Sequence, residues 1–82
     1  MKGETMSKKR FVEFYLSAMM KAATGGQVTR LAYIYYDLKH TEDVRLDYTS
    51  GTGGGVVEFS VNDMGLLEIA AEVISQTRRA LA

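Results

Sequence analysis

Cysteine is missing from this 82-residue chain, which excludes a disulfide framework and a thiolate metal site and suits a reducing compartment, so a cytoplasmic location is expected. Histidine occurs once, at His40. It falls in a polar stretch with Asp37, Glu42 and Asp43 nearby, where a solvated imidazole is the expectation rather than a catalytic base. No uninterrupted apolar run reaches the roughly 18 residues that a membrane-spanning helix needs. Lys8 to Arg10 followed by FVEFYLSAMM has the outline of a secretory signal, but Glu13 interrupts the apolar part and Lys21 closes it early. A net charge of either sign is also missing, since ten basic residues balance ten acidic ones. No global field therefore draws in nucleic acid or an anionic membrane. Gly-Lys-Ser/Thr does not occur, which rules out a Walker-type phosphate loop.

What is present is an ordinary globular composition, 46% hydrophobic and 24% charged, of a length that makes one domain. So short a chain buries only about 60 to 65% of the surface its unfolded form exposes, and a partner subunit would add to a modest stability. Residues 1–6 read as a flexible N-terminal leader and 7–82 as a single domain. The charge is unevenly spread: Lys2, Lys8, Lys9, Arg10, Lys21 and Arg30 make the first third basic. Acidic residues from Asp37 to Glu72 follow, before Arg78 and Arg79.

The stretch Leu31 to Leu38, LAYIYYDL, has the alternation and aromatic content of a central β-strand. Ile34, Tyr36 and Leu38 point one way; Leu31, Tyr33, Tyr35 and Asp37 point the other. Two further strands are expected, Val44 to Thr49 with Val44, Leu46 and Tyr48 on one face, and Val56 to Val61 with Val57, Phe59 and Val61 on one face. Both connections are too short for a parallel crossover, so the three strands form an antiparallel meander. The second connection, Ser50 to Gly55, is glycine-rich and runs from strand to strand. A dinucleotide loop runs from strand to helix, so a flexible hairpin is expected here, with Gly53 and Gly54 as secondary contacts to a partner.

Ser7 to Ala23 admits two readings. With a helical period, Phe11, Val12, Tyr15, Leu16, Met19, Ala22 and Ala23 share a face; with a period of two, Val12, Phe14, Leu16 and Ala18 line up. Its length, a Ser7 N-cap and the Thr24-Gly25-Gly26 stop favour the helix. A last helix, capped by Asn62 or Asp63 and ending near Ala80, would face inward with Leu66, Ile69, Ala70, Val73, Ile74, Thr77 and Leu81. The fold class that follows is α+β, a two-layer α-β-β-β-α domain with both helices on one face of a three-stranded antiparallel sheet. Ile34, Tyr36 and Leu38 are assigned to the covered face, leaving Tyr33, Tyr35, Asp37, Arg45, Asp47, Thr49, Val56 and Glu58 on the open one.

The order α-β-β-β-α, over about residues 8 to 81, is similar to that of the double-stranded RNA-binding domain. That resemblance implies lysines gripping phosphates at the start of the second helix, but Asn62-Asp63-Met64-Gly65-Leu66 is acidic and contains none. The order is thus a fold analogy without the family's motif. Were Phe11 to Ala18 a strand, the order would resemble small dimeric single-stranded-DNA binders.

No motif marks an enzyme, a cofactor or a small-molecule ligand, and an enzyme without a recognisable motif stands as a further alternative. Exposed tyrosines could stack on bases, but the acids sharing their face would repel phosphates. Tyrosine beside mixed charge suits a protein interface. The expected function is a small non-enzymatic interaction protein, plausible as a homodimeric accessory or inhibitory protein of a phage or mobile element, with Tyr33, Tyr35, Arg45 and Asp47 as contact residues. The alternative is a nucleic-acid-binding module using Lys8, Lys9, Arg10, Arg78 and Arg79.

Overall fold

The computed structural model describes residues 7–82; the expected leader, residues 1–6, lies outside them. Helix α1 (residues 8–23) starts at Ser7, whose side chain accepts from the Arg10 N–H. It continues as a π-helical segment Phe11–Leu16 and returns to α geometry over Ser17–Ala23. Strands β1 (Val28–Tyr36), β2 (Thr41–Ser50) and β3 (Gly53–Ser60) form an antiparallel sheet in the order β1-β2-β3, and helix α2 spans Leu66–Leu81. The helical reading of residues 8–23 and the α-β-β-β-α order therefore hold.

α1 ends where the sequence places its stop. Gly25 and Gly26 take positive φ, the Gly26 N–H reaches the Lys21 carbonyl at 2.8 Å, and the Thr24 hydroxyl donates to the Met20 carbonyl. These groups satisfy carbonyls that the end of a helix leaves open. Thr24 Oγ1 also accepts from the Val28 N–H at 3.0 Å, fixing where β1 begins.

Both helices pack on one face of the sheet. Val12, Leu16 and Met20 of α1 and Ile69 and Val73 of α2 meet Val28, Leu31, Val44, Leu46 and Phe59 in one buried cluster. Cross-strand partners share a face, so the pairs Leu31–Leu46, Tyr33–Val44 and Tyr35–Glu42 on β1 and β2, continued by Val57 and Phe59 on β3, define the covered side. Ala32, Ile34 and Tyr36, opposite Arg45, Asp43 and Thr41, define the bare side.

This reverses the assignment of β1 faces made above. Tyr33 and Tyr35 lie on the helix side, while Ile34 and Tyr36 lie on the bare side. The cause is a register shift between Val28 and Arg30. Val28 and Leu31 are an odd number of residues apart yet both almost wholly buried, and only an extra residue at Thr29 puts them on one face. Leu38, expected inside, sits in the Asp37–His40 turn and is 99% exposed.

α1 also turns differently from a regular α-helix. Val12, Leu16 and Met20 are buried, while Tyr15 and Met19, expected on the inner face, are exposed. Each π-type turn takes up about one more residue than an α turn, so the buried stripe advances to Met20. α2 begins after Gly65 rather than at Asn62 or Asp63; the Glu68 carboxylate accepts from the Gly65 N–H at 2.8 Å. Its buried residues are Ile69, Val73 and Thr77, and Ile74 is partly exposed.

The glycine-rich connection is a tight turn at Gly51–Thr52, and Gly53, Gly54 and Gly55 belong to β3. Gly55 pairs with Tyr48, whose phenol occupies the space where a side chain at 55 would stand. At Gly54 an added Cβ would lie 2.5 Å from the Tyr48 carbonyl oxygen, whereas at Gly51 it would meet nothing within 4 Å. Gly54→Ala is therefore expected to cost about 1–3 kcal/mol through a forced backbone shift. Gly51→Ala should stay within about 0.5 kcal/mol of wild type. Urea denaturation of the two variants checks the contrast.

Candidate partner-binding surfaces

One carboxylate joins four parts of the fold. Glu42, at the start of β2, accepts from Lys8 Nζ of α1 at 2.8 and 3.1 Å and from the Tyr33 hydroxyl of β1. It also accepts from the Asp63 N–H at 3.1 Å, in the link between β3 and α2. Its own N–H donates to Asn62 Oδ1 at 2.6 Å. The Glu42 side chain is only 15% exposed, so each partner satisfies charge that would otherwise be desolvated. Lys8 and then Tyr33 hold the carboxyl below its ordinary value of 4.5, against a smaller opposing effect of burial. Burial and, after it, the Glu42 charge push the Tyr33 phenol up to about 12. Tyr33 is thus a structural strut under α1 rather than an exposed contact.

The bare sheet face is polar and internally paired. The Tyr36 hydroxyl donates to Glu58 at 2.7 Å, and the Lys39 ammonium lies 5.3 Å from the Tyr36 ring centre. Burial, and then a hydrogen bond shared with Glu58, raise the Asp43 carboxyl. The Tyr36 and Asp43 hydrogen bonds lower Glu58. Arg45 and Asp47, both expected as contact residues, do lie here and pair with each other at 3.0 Å. Tyr35, on the opposite face, is half-exposed and its hydroxyl lies 3.3 Å from His40 Nδ1. His40 takes a positive φ of 53° in the turn. Gly53 and Gly54 lie at the far end of β3 from this group.

The basic residues divide between two ends of the helix layer. Lys8, Lys9 and Arg10 are at the start of α1, where Lys8 binds Glu42, Lys9 pairs with Glu13 at 3.2 Å, and Arg10 lies over the Phe14 and Tyr15 rings. Arg78 and Arg79 close α2, which ends beside the end of α1 rather than its start. The chain does not bring the two groups together. The first turn of α2 carries Glu68 and no lysine.

Apolar exposure concentrates instead on the helices. Phe14 (60%), Tyr15 (44%) and Met19 (54%) on α1 and Leu67 (85%) and Ile74 (37%) on α2 stand open. Between the C-terminal halves of the helices runs an apolar groove of about 470 Å³, lined by Met19, Met20, Ala23, Ile74 and Leu81 and bordered by Arg78. Sequence reasoning missed this surface because it placed Tyr15, Met19 and Ile74 in the core. The available signal was surplus: α1 has more large apolar residues than one buried stripe can take. Among the described residues no group of three or more histidine, cysteine, aspartate or glutamate side chains is arranged to hold a metal.

Comparison of the chain with protein-family models, curated proteins and solved structures finds no match in any of the three.

Acid should report on Glu42. The unfolded carboxyl takes up a proton near 4.5 and the folded one only at lower pH. Its contribution is therefore complete above pH 4.5 and falls away as pH drops below it. The Tyr33 phenol behaves oppositely, contributing fully below its unfolded value of 10.0 and losing that contribution as pH climbs toward 12. Glu42→Gln should cost about 1–3 kcal/mol at neutral pH. It should also flatten the acid limb of a plot of urea midpoint against pH; an unchanged limb would assign the acid sensitivity elsewhere.

Proposed function

We propose that this chain is a non-catalytic interaction module that takes an apolar, helix-forming segment of a protein partner on the outer surface of its two helices. The observation that carries this reading is the groove between α1 and α2, flanked by Met19 at 54% and Ile74 at 37% exposure. A contiguous apolar surface on a small domain costs solubility unless something covers it in use. Methionine supports the role because its flexible thioether adapts to an incoming side chain. Phe14 and Tyr15, also exposed on α1, hold their rings edge to face with centres 5.0 Å apart. Such pre-ordered aromatics lose little entropy on binding. The bare sheet face serves less well, because its carboxylates and cations already satisfy one another and would have to be desolvated against a partner.

Selection of a displayed helical-peptide library on the immobilised chain tests the reading. Selected peptides should carry apolar residues at helical spacing and fit the helix-in-groove mode. Met19→Lys and Ile74→Lys should each weaken them by about tenfold or more. Met19 is more than half exposed, so Met19→Lys should change folding by no more than about 0.5 kcal/mol. Peptides whose binding ignores both substitutions but is lost in Tyr36→Ala would move the site to the sheet.

A further inference from the structure

The two edges of the sheet are treated differently. On β1 the Tyr33 N–H points away from β2 and is taken up by the Glu13 carboxylate of α1 at 2.9 Å. Partial burial raises Glu13, yet the Tyr33 N–H and Lys9 outweigh it and leave the carboxyl lowered and charged. At Tyr33, midway along the strand, that edge is capped by a fixed negative side chain, a device that keeps strand edges from pairing.

The outer edge of β3 has no such device. The alternation that turns Tyr33 outward turns Glu42 toward β3, where its carbonyl accepts from the Val61 N–H at 2.9 Å. Gly55, Val57 and Phe59 therefore face β2, and Gly54, Val56, Glu58 and Ser60 present their backbone groups outward. Among the described residues none of these four backbone N–H groups has a partner beyond the sheet. The strand carries no proline or lysine, and its pairing with β2 runs without a shift from Asp43–Ser60 to Ser50–Gly53.

We propose that the chain pairs with a second copy of itself along this β3 edge, in antiparallel register about a two-fold axis near Val56, giving a continuous six-stranded sheet. Charge selects both the register and the occupant. An axis at Glu58 would oppose two like carboxylates, whereas one near Val56 sets Glu58 against Gly54 and Val56 against its own copy. On α2, Ile74, Arg78 and Leu81 face the groove beside α1, so Glu72, Gln76 and Arg79 occupy the opposite flank, toward β3. The strand between Val61 and Val56 is about 16 Å long, matched by about eleven residues of α2, which brings the axis close to Gln76. Glu72 and Arg79 lie on either side of it. In the antiparallel dimer each Glu72 then approaches the Arg79 of the other copy. The α2 helices, each over β2, stand about three strand spacings or 14 Å apart, close enough for those side chains and too far for a clash. With the β1 edge blocked, assembly closes at two copies instead of growing into a fibre.

Light scattering of the full chain over a wide concentration range, with three sets of variants, tests this. Wild type should dimerise. Val56→Pro removes an outward N–H that the monomer does not use, so it should remain folded by circular dichroism and be monomeric. Val56→Lys should raise the dimer dissociation constant by about tenfold or more. Glu72→Arg and Arg79→Glu should each weaken the dimer, and the two together should restore it. Should Val56→Pro fail to fold, Val56→Lys decides. A wild type that stays monomeric, or a dimer untouched by Val56→Lys but lost in Met19→Lys, would overturn the proposal.

Discussion

The structure depends on a mismatch at the start of β1: Val28 and Leu31 must both enter the core although strand alternation would send them to opposite faces. The extra residue at Thr29 resolves it and sets the phase of everything downstream. Leu31 then meets Leu46, and Tyr33 meets Val44. Ile34 and Tyr36 are left on the face without helices. A strand without that shift would bury the other set.

The same phase determines the polar framework. Tyr33 on the covered side can reach Glu42, and Glu42 can reach Lys8 and the Asp63 N–H. The starts of α1 and of the link into α2 are thereby held to one carboxylate, which is partly buried and fully partnered. Because Tyr33 turns its N–H outward from the sheet, Glu13 can seal the β1 edge. The long π-helical turn in α1 carries both effects, since it contains Glu13 and moves the buried stripe on to Met20. Met19, turned outward as a result, flanks the apolar groove on which the interaction reading rests.

Element type and order were legible in the sequence because each element carries its own period and its own stop: the Thr24-Gly25-Gly26 terminus, the polar turn before Thr41, the glycines after Ser50. Orientation was less legible. The aromatic run Tyr33 to Tyr36 is nearly symmetrical in hydrophobicity, so alternation alone gives no preference between its faces. The deciding signal was the buried pair Val28 and Leu31 upstream, and a bulge leaves no residue signature at Thr29. Likewise nothing local distinguishes a π turn from an α turn at Phe11–Leu16, so Met19 was placed inside where Met20 is the buried residue. Arg45 and Asp47 were placed on the correct face because β2 is regular, and their mutual ion pair depends only on spacing along one strand.

Since the chain contains no cysteine, single cysteines report strand orientation against a clean background. The rate at which a thiol reagent labels native Leu31→Cys, Tyr33→Cys, Ile34→Cys and Tyr36→Cys measures the phase of β1 directly. Fast labelling at 34 and 36 with protection at 31 and 33 is the predicted pattern. The inverse pattern would contradict the bulge, the placement of Tyr33 beneath α1 and the blocked β1 edge together.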